Sequence, residues 1–232
     1  MMPTDRFDPF DSYLMNIRWR SPAPPRPSGF IEPCLPTLAQ RVPSGPQWVH
    51  EIKHDGFRFI CRRDGDRVSV FARDGDDWTD RVPAIAEAVA GLKLRSVTID
   101  GEGVLCGSDG VSDFWRLRAA LRRQGSRRVF LYAFDLLELD GRDLRARPWE
   151  DRRKALTKLL RKAGDGIQLC QHLALTDGDT IFRHACAMGL EGIIAKRRDL
   201  PYRSGRSKDW ITVKNPNAPA AIRGIEVQGQ PT

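Results

Sequence analysis

Residues 48–72 read WVHEIKHDGFRFICRRDGDRVSVFA, and the alternation of apolar and polar side chains along them decides the architecture. Trp48–Lys53 is a short strand that runs into the turn Asp55-Gly56. Phe57–Arg63 then alternates, Asp64-Gly65-Asp66 turns, and Arg67–Ala72 alternates again. Successive strand side chains point to opposite faces, so each run offers one face to a core and the other to solvent. Asp-Gly between two such runs is a strong hairpin signal, so the pairing is antiparallel.

Outward from the hairpin, helices and strands interleave irregularly. Val82, Ile85, Ala86, Val89 and Leu92 recur at helical spacing, with Thr79 or Asp80 as N-cap and Pro83 in the first turn. Val97–Asp100 and Glu102–Cys106 read as two extended pieces, and Phe114–Arg123 as a helix. Val129–Leu137 is nearly all apolar, as a strand buried on both faces should be. Helices are expected over Pro148–Lys162 and Asp179–Met188, the latter stopped by Gly189, and strands over Gly192–Lys196 and Asp209–Lys214. This order predicts an α+β fold of antiparallel sheets with flanking helices, not a doubly wound one.

The 232 residues, 41% hydrophobic and 29% charged, suffice for one large domain or two small ones. No apolar run nears the ~20 residues that span a bilayer, and no signal-peptide core appears near the start. The expectation is a cytoplasmic protein with no membrane partner. Cys34, Cys61, Cys106, Cys170 and Cys186 are dispersed without a C-x-x-C pair, which suits reduced core thiols. His50 and His54 stand four apart on a strand pattern, where that spacing does not make a metal-ligand pair. The Pro-rich stretch 1–29 is read as a flexible arm, 30–215 as the packed domain and 216–232 as a short tail. A net charge of +8 suggests a polyanionic partner.

Five short clusters carry chemistry. Glu51-Ile52-Lys53-His54-Asp55-Gly56-Phe57-Arg58 sets a lysine at a strand end before a turn, where a desolvated amine can serve as a nucleophile. Taken alone it is equally a surface lysine. Asp100-Gly101-Glu102 places two carboxylates on one side of an extended chain. Tyr132-Ala133-Phe134-Asp135 sets an acid in an apolar strand, where it must be paired, metal-bound or at the strand's end. Glu191-Gly192-Ile193-Ile194-Ala195-Lys196 and Trp210-Ile211-Thr212-Val213-Lys214 bring an acid, a close-packing glycine and two lysines to the last strands.

Together these clusters resemble the covalent nucleotidyltransferase superfamily and, within it, the ATP-dependent DNA ligases, nearest the ligase domain of bacterial end-joining ligases. K-x-D-G-x-R, D-G-E, Y-x-F-D-L-L, E-G-I-I-x-K and W-x-x-V-K occur in family order over about Phe30–Asn215. The connecting segments Ala72–Thr79 and Pro201–Ser207 are ligase-like as well. The resemblance implies an adenylation domain of the nucleotidyltransferase (ATP-grasp-like) fold, with the sheets around an ATP cleft. It implies that Lys53 attacks the α-phosphate of ATP and that Lys196 and Lys214 neutralise the phosphates. Glu51 and the Ile52 main chain would read adenine, Phe134 would stack on it, and Arg58 and Glu102 would hold the ribose region. Arg73 would meet nucleotide or DNA phosphate, and Glu191, with Glu102 or Asp100, would support Mg²⁺ or Mn²⁺. AMP would then pass to a 5′-phosphate at a nick in duplex DNA. Two basic clusters suit that partner. Residues 114–128 hold Arg116, Arg118, Arg122, Arg123, Arg127 and Arg128 without an acid; Arg197, Arg198, Arg203, Arg206 and Lys208 form the second. For the first, a merely solvated helix face is an equal alternative.

Two departures qualify the resemblance. Asn215–Thr232 is too short for the OB-fold barrel that usually follows, so sealing is expected to be weak or to need an OB-domain-containing or end-joining partner protein. Thr212 also stands where the family commonly has the first lysine of K-x-K. A ligase relative that binds nucleotide or DNA without turnover, and an RNA ligase-like nucleotidyltransferase, therefore stay open as alternatives.

Overall fold

The computed structural model describes residues 29–122, 126–173 and 177–219. The expected arm, apart from Gly29, and residues 220–232 of the expected tail lie outside the described residues. The opening hairpin forms as read: β3 (Phe57–Asp64) pairs antiparallel with β4 (Arg67–Ala72), Asp64 facing Arg67. Between them and the next strand, Thr79–Arg81 makes a 3-10 turn before α1 (Pro83–Ala90). Neither Thr79 nor Asp80 caps α1. Its N-cap is Val82 without a side-chain bond, because the Thr79 hydroxyl accepts the Val70 N–H at 2.9 Å instead.

One six-stranded sheet has the order β4-β3-β5-β6-β7, where β5 is Ser96–Val104, β6 Phe130–Leu139 and β7 Arg142–Asp143; β8 (Ile167–Leu169) adds to β6 in parallel. The two extended pieces expected around Gly101 are thus one strand. Its pairing with β6 shifts register between Asp100 and Gly101. One face of this sheet packs on α1, α2 (Phe114–Arg122) and α3 (Trp149–Leu160) through Phe59, Ile85, Ile99, Leu117, Leu131 and Leu156, all fully buried.

The second sheet has the order β1-β11-β10-β2-β9, from β1 (Cys34–Leu38), β11 (Gly205–Lys214), β10 (Gly192–Arg197), β2 (Trp48–Ile52) and β9 (His172–Leu173). The sheets are mainly antiparallel, β1 with β11 being a parallel exception. Its outer face is covered by α4 (Gly178–Ala187), whose N-cap Asp177 accepts the N–H groups of Asp179 and Thr180. The inner faces of the two sheets meet over Cys34, Ile60, Phe71, Phe134, Leu137, Tyr202 and Trp210. No described helix is long and apolar enough to cross a membrane.

Asp135, the acid in the apolar strand, is paired: Arg152 of α3 donates to both its oxygens, at 2.7 and 2.8 Å, with both side chains fully buried. Gly192 explains why a glycine follows Glu191. It sits at φ +151°, and a Cβ there would lie 2.1 Å from the Val213 carbonyl oxygen.

Candidate active site

The inner faces of the sheets leave a cleft of about 410 Å³ lined from both sides. The second sheet contributes Leu35, Pro36, Glu51, Ile52, Lys53, Ile194, Lys196, Trp210 and Thr212; the first contributes Phe57, Arg58, Glu102 and Phe134, with Arg73 from the turn after β4. Of the expected site residues, Asp100, Glu191, Lys214, Arg203 and Arg206 are not part of this lining.

Lys53 follows β2 directly, its backbone N–H bonded to the Gly192 carbonyl at 2.9 Å. That bond ties the end of one strand to the start of another and brings Lys53 Nζ within 2.6 Å of Glu191 Oε1. The second oxygen of Glu191 is buried without a hydrogen-bond partner. Burial pushes the Glu191 carboxyl up, opposed by Lys53 and, more weakly, by Lys214. Lys214 lies opposite Gly192 on β11, so the two share a face of the sheet. Glu102 is pushed up to about 7, chiefly by burial, with Lys53 and Arg58 pulling it down. A second depression of about 380 Å³, walled by residues 107–116 and 189–191, opens on the other side of Lys53.

Asp100 departs from its expected place as a cation ligand. It is fully buried, it accepts Arg58 Nε and Nη2 at 2.5 and 2.7 Å, and the Tyr202 hydroxyl donates to it at 2.6 Å. Both of its oxygens are thus engaged, while β5 keeps an unbroken register with β3 through Asp100, Gly101 and Glu102. Tyr202 in turn accepts the Cys34 N–H at 2.7 Å. The Arg58 guanidinium lies 4.4 Å from the Phe134 ring centre.

Lys196 departs as well. Its ammonium is 2.6 Å from Glu51 Oε2 and 4.1 Å from the centres of both Phe134 and Trp210, and the side chain is 1% exposed. This enclosed position belongs to the inner end of the cleft with Glu51. A lysine held by a carboxylate and two ring faces is not poised over phosphates beside Lys53. The Thr212 hydroxyl lines the cleft without a hydrogen-bond partner.

The second basic cluster is largely neutralised by acids that a one-dimensional reading of charge overlooks. Arg197 pairs with Asp199, Arg198 with Glu150, and Arg203 with Asp209 at 3.3 Å. Arg206 is exposed at the β1–β11 edge, opposite Leu35.

Several lining residues carry little signal in the sequence. Trp210 stands out there only as part of a motif, and its neighbours on β10 supply the reason for its place. Leu35 and Pro36 come from β1, which carries no alternation. His54 stacks on Tyr132 at 4.2 Å and lines the cleft; burial, then Lys53, lower it to about 4, so it is neutral. Among the described residues no group of three or more His, Cys, Asp or Glu is placed to hold a metal ion by itself.

A lysine at a strand end, an acid against it and a cleft with buried aromatic rings between two sheets fit a covalent nucleotidyltransferase fold. Residues 36–214 match the family model "ATP dependent DNA ligase domain", and the chain belongs to that family. It is 38% identical over 80% of its length to the "Multifunctional non-homologous end joining protein LigD" of Pseudomonas aeruginosa, covering 22% of that protein. It is 33% identical over 78% of its length to a "Probable DNA ligase" of Mycobacterium marinum, covering 39% of it. The chain thus spans well under half the length of these curated relatives. Among solved structures, the ligase domain of Mycobacterium tuberculosis LigD superposes with a TM-score of 0.67 at 35% identity, over 78% of this chain and 58% of that one. A mycobacterial DNA ligase D complexed with ATP and MES gives 0.68 at 34% identity, over 78% and 59%.

Proposed function

We propose that residues 30–215 are the adenylation unit of an ATP-dependent DNA ligase that forms a lysyl-AMP on Lys53 and passes AMP to a 5′-phosphate at a nick, in DNA repair. The observation that carries this reading is the Lys53–Glu191 contact of 2.6 Å at the mouth of a cleft whose inner end holds Glu51, Lys196, Phe134 and Trp210. Lys53 Nζ, having lost a proton, attacks the α-phosphorus. The bond to the bridging oxygen breaks, and pyrophosphate leaves with that electron pair. Glu51 and the Ile52 main chain receive adenine, Phe134 stacks on it, and Arg58 and Glu102 flank the ribose. Lys196 acts on Glu51, which leaves Lys214 and Arg73 as the cations for phosphate.

A divalent cation, Mg²⁺ or Mn²⁺, supplies Lewis-acid polarisation of the phosphoryl oxygens when bound. The donor set fits it. Mg²⁺ takes one or two carboxylates plus substrate phosphates, and Glu191 offers a buried oxygen without a partner beside Glu102. Asp100 is left out of that set because its oxygens are taken. The DNA backbone would meet the arginines of α2, with Arg73, Arg203 and Arg206 on the approaches. We place the reaction in the bacterial cytoplasm, on the nucleoid, and expect sealing to gain from an OB-domain-containing or end-joining partner.

The test is covalent labelling. α-Labelled ATP with Mg²⁺ or Mn²⁺ should leave an acid-labile label on the chain, α-labelled GTP should not, and Lys53→Ala should abolish it. No label with either metal would favour a nucleotide- or DNA-binding relative without turnover, the reading that Thr212 supports.

A further inference from the structure

α3 carries two adjacent buried arginines whose circumstances differ. Arg152 is fully engaged: two bonds to Asp135, and Nη1 donating to the Arg147 and Leu200 carbonyls at 2.6 and 3.4 Å. Arg153 is 5% exposed, yet its Nε and Nη1 have no hydrogen-bond partner; only Nη2 is bonded, to the Cys170 carbonyl. Nη1 lies 4.0 Å from Glu51 Oε1, and that oxygen also has no partner. Glu51 is 3% exposed and already holds Lys196 at 2.6 Å through its other oxygen. Two buried cations therefore face one buried carboxylate.

A guanidinium has five donors, and leaving several unbonded away from water costs free energy. Packing alone gives no reason for that cost, since Arg152 already anchors α3 to β6. Arg153 does not line the cleft itself and meets it through two residues that do, Glu51 and Cys170, of which only Glu51 offers the cleft a charged side chain. Without Arg153, Glu51 would retain a single cation against the burial that disfavours its charge, and both oxygens would be free to turn onto Lys196. With it, Oε1 stays apart from Lys196 and unbonded.

We infer that Arg153 is a positioning residue for nucleobase selection, holding the Glu51 carboxylate so that Oε1 is left without a hydrogen bond for the exocyclic amine of a 6-aminopurine to supply. The inference rests on the reading that Glu51 receives the base. It separates two properties that a packing role would move together: affinity for the amine, and affinity for the rest of the nucleotide.

The experiment is calorimetric binding to the full chain, without metal, of ATP and of purine riboside 5′-triphosphate, which lacks the 6-amino group. Arg153→Met should weaken ATP about tenfold and the analogue less than about twofold, as removal of one amine hydrogen bond requires. Arg153→Lys should restore most of the ATP affinity. In a Glu51→Gln background Arg153→Met should add little, since the two then act on one interaction. Equal weakening of both nucleotides, no weakening of either, or full additivity with Glu51→Gln would overturn the inference. Binding with amine preference but no labelling of Lys53 would sink the adenylation reading and leave this one standing.

Discussion

Thr212 occupies a cleft-lining position on β11, two residues from Trp210 and two from Lys214, so all three share a face. The residue is 8% exposed and its hydroxyl makes no hydrogen bond, so it contributes neither charge nor a fixed dipole there. Thr212→Lys would place an ammonium on the same face as Lys214, where charge develops as pyrophosphate leaves. We expect adenylation of Lys53 to quicken by about tenfold, read as single-turnover labelling. An unchanged rate would mean that Lys214 and Arg73 already saturate the charge requirement. The lysines also show the reach of motif reading at this scale. The motif of Lys53 does not disclose the acid beside it, Glu191, nor does that of Lys196 disclose Glu51. The pairing of Lys196 with Trp210 and of Glu51 with Ile194 across β10 sends its ammonium to Glu51.

At the scale of elements, long alternating or apolar runs are legible, because their side-chain period is set by local geometry. β3, β4 and β6 fall where the pattern puts them. β1, β8 and β9 are not legible. They are five, three and two residues long, β1 contains Pro36, and each exists because a longer strand offers it an edge. The split expected at Gly101 does not occur: β5 continues through it in unbroken register with β3. α2 invites a test of the polyanion reading. Leu117 and Leu121 bury one side, while Arg118 is half-buried with its guanidinium 5.9 Å from the Trp115 ring centre and Arg122 is exposed. Arg118→Glu with Arg122→Glu should weaken binding to nicked duplex and flatten its dependence on log salt by about two, one for each phosphate no longer neutralised. A slope that does not move would assign these arginines to a solvated helix face.

For the whole molecule, the Arg152–Asp135 pair joins α3 to the strand that divides the two cores. It has no solvent exposure and its bonds are bidentate, so removing one partner strands a buried charge. Arg152→Met should cost about 3–5 kcal/mol in denaturant unfolding, and Asp135→Asn should cost a comparable amount. A loss below about 1 kcal/mol would show that water reaches the site. The two-sheet arrangement itself is only half visible in the sequence. Antiparallel pairing follows from turns, but which strands share a sheet depends on interactions between residues far apart in the chain.

One such pairing sets the order in which the molecule can be made. β1 pairs with β11, Cys34 opposite Gly205, and the Cys34 N–H is held by Tyr202. During synthesis on the ribosome, the earliest strand of the second sheet must wait for the last one to emerge. Until then the cleft lacks its Leu35–Pro36 wall and its Trp210. The other sheet faces no such delay, because β3, β4, β5 and β6 follow one another and pair with near neighbours in sequence. Pairings closed over short loops form ahead of those closed over long ones. A nascent chain halted after Leu139 should therefore carry a nearly complete first sheet and no nucleotide site at all.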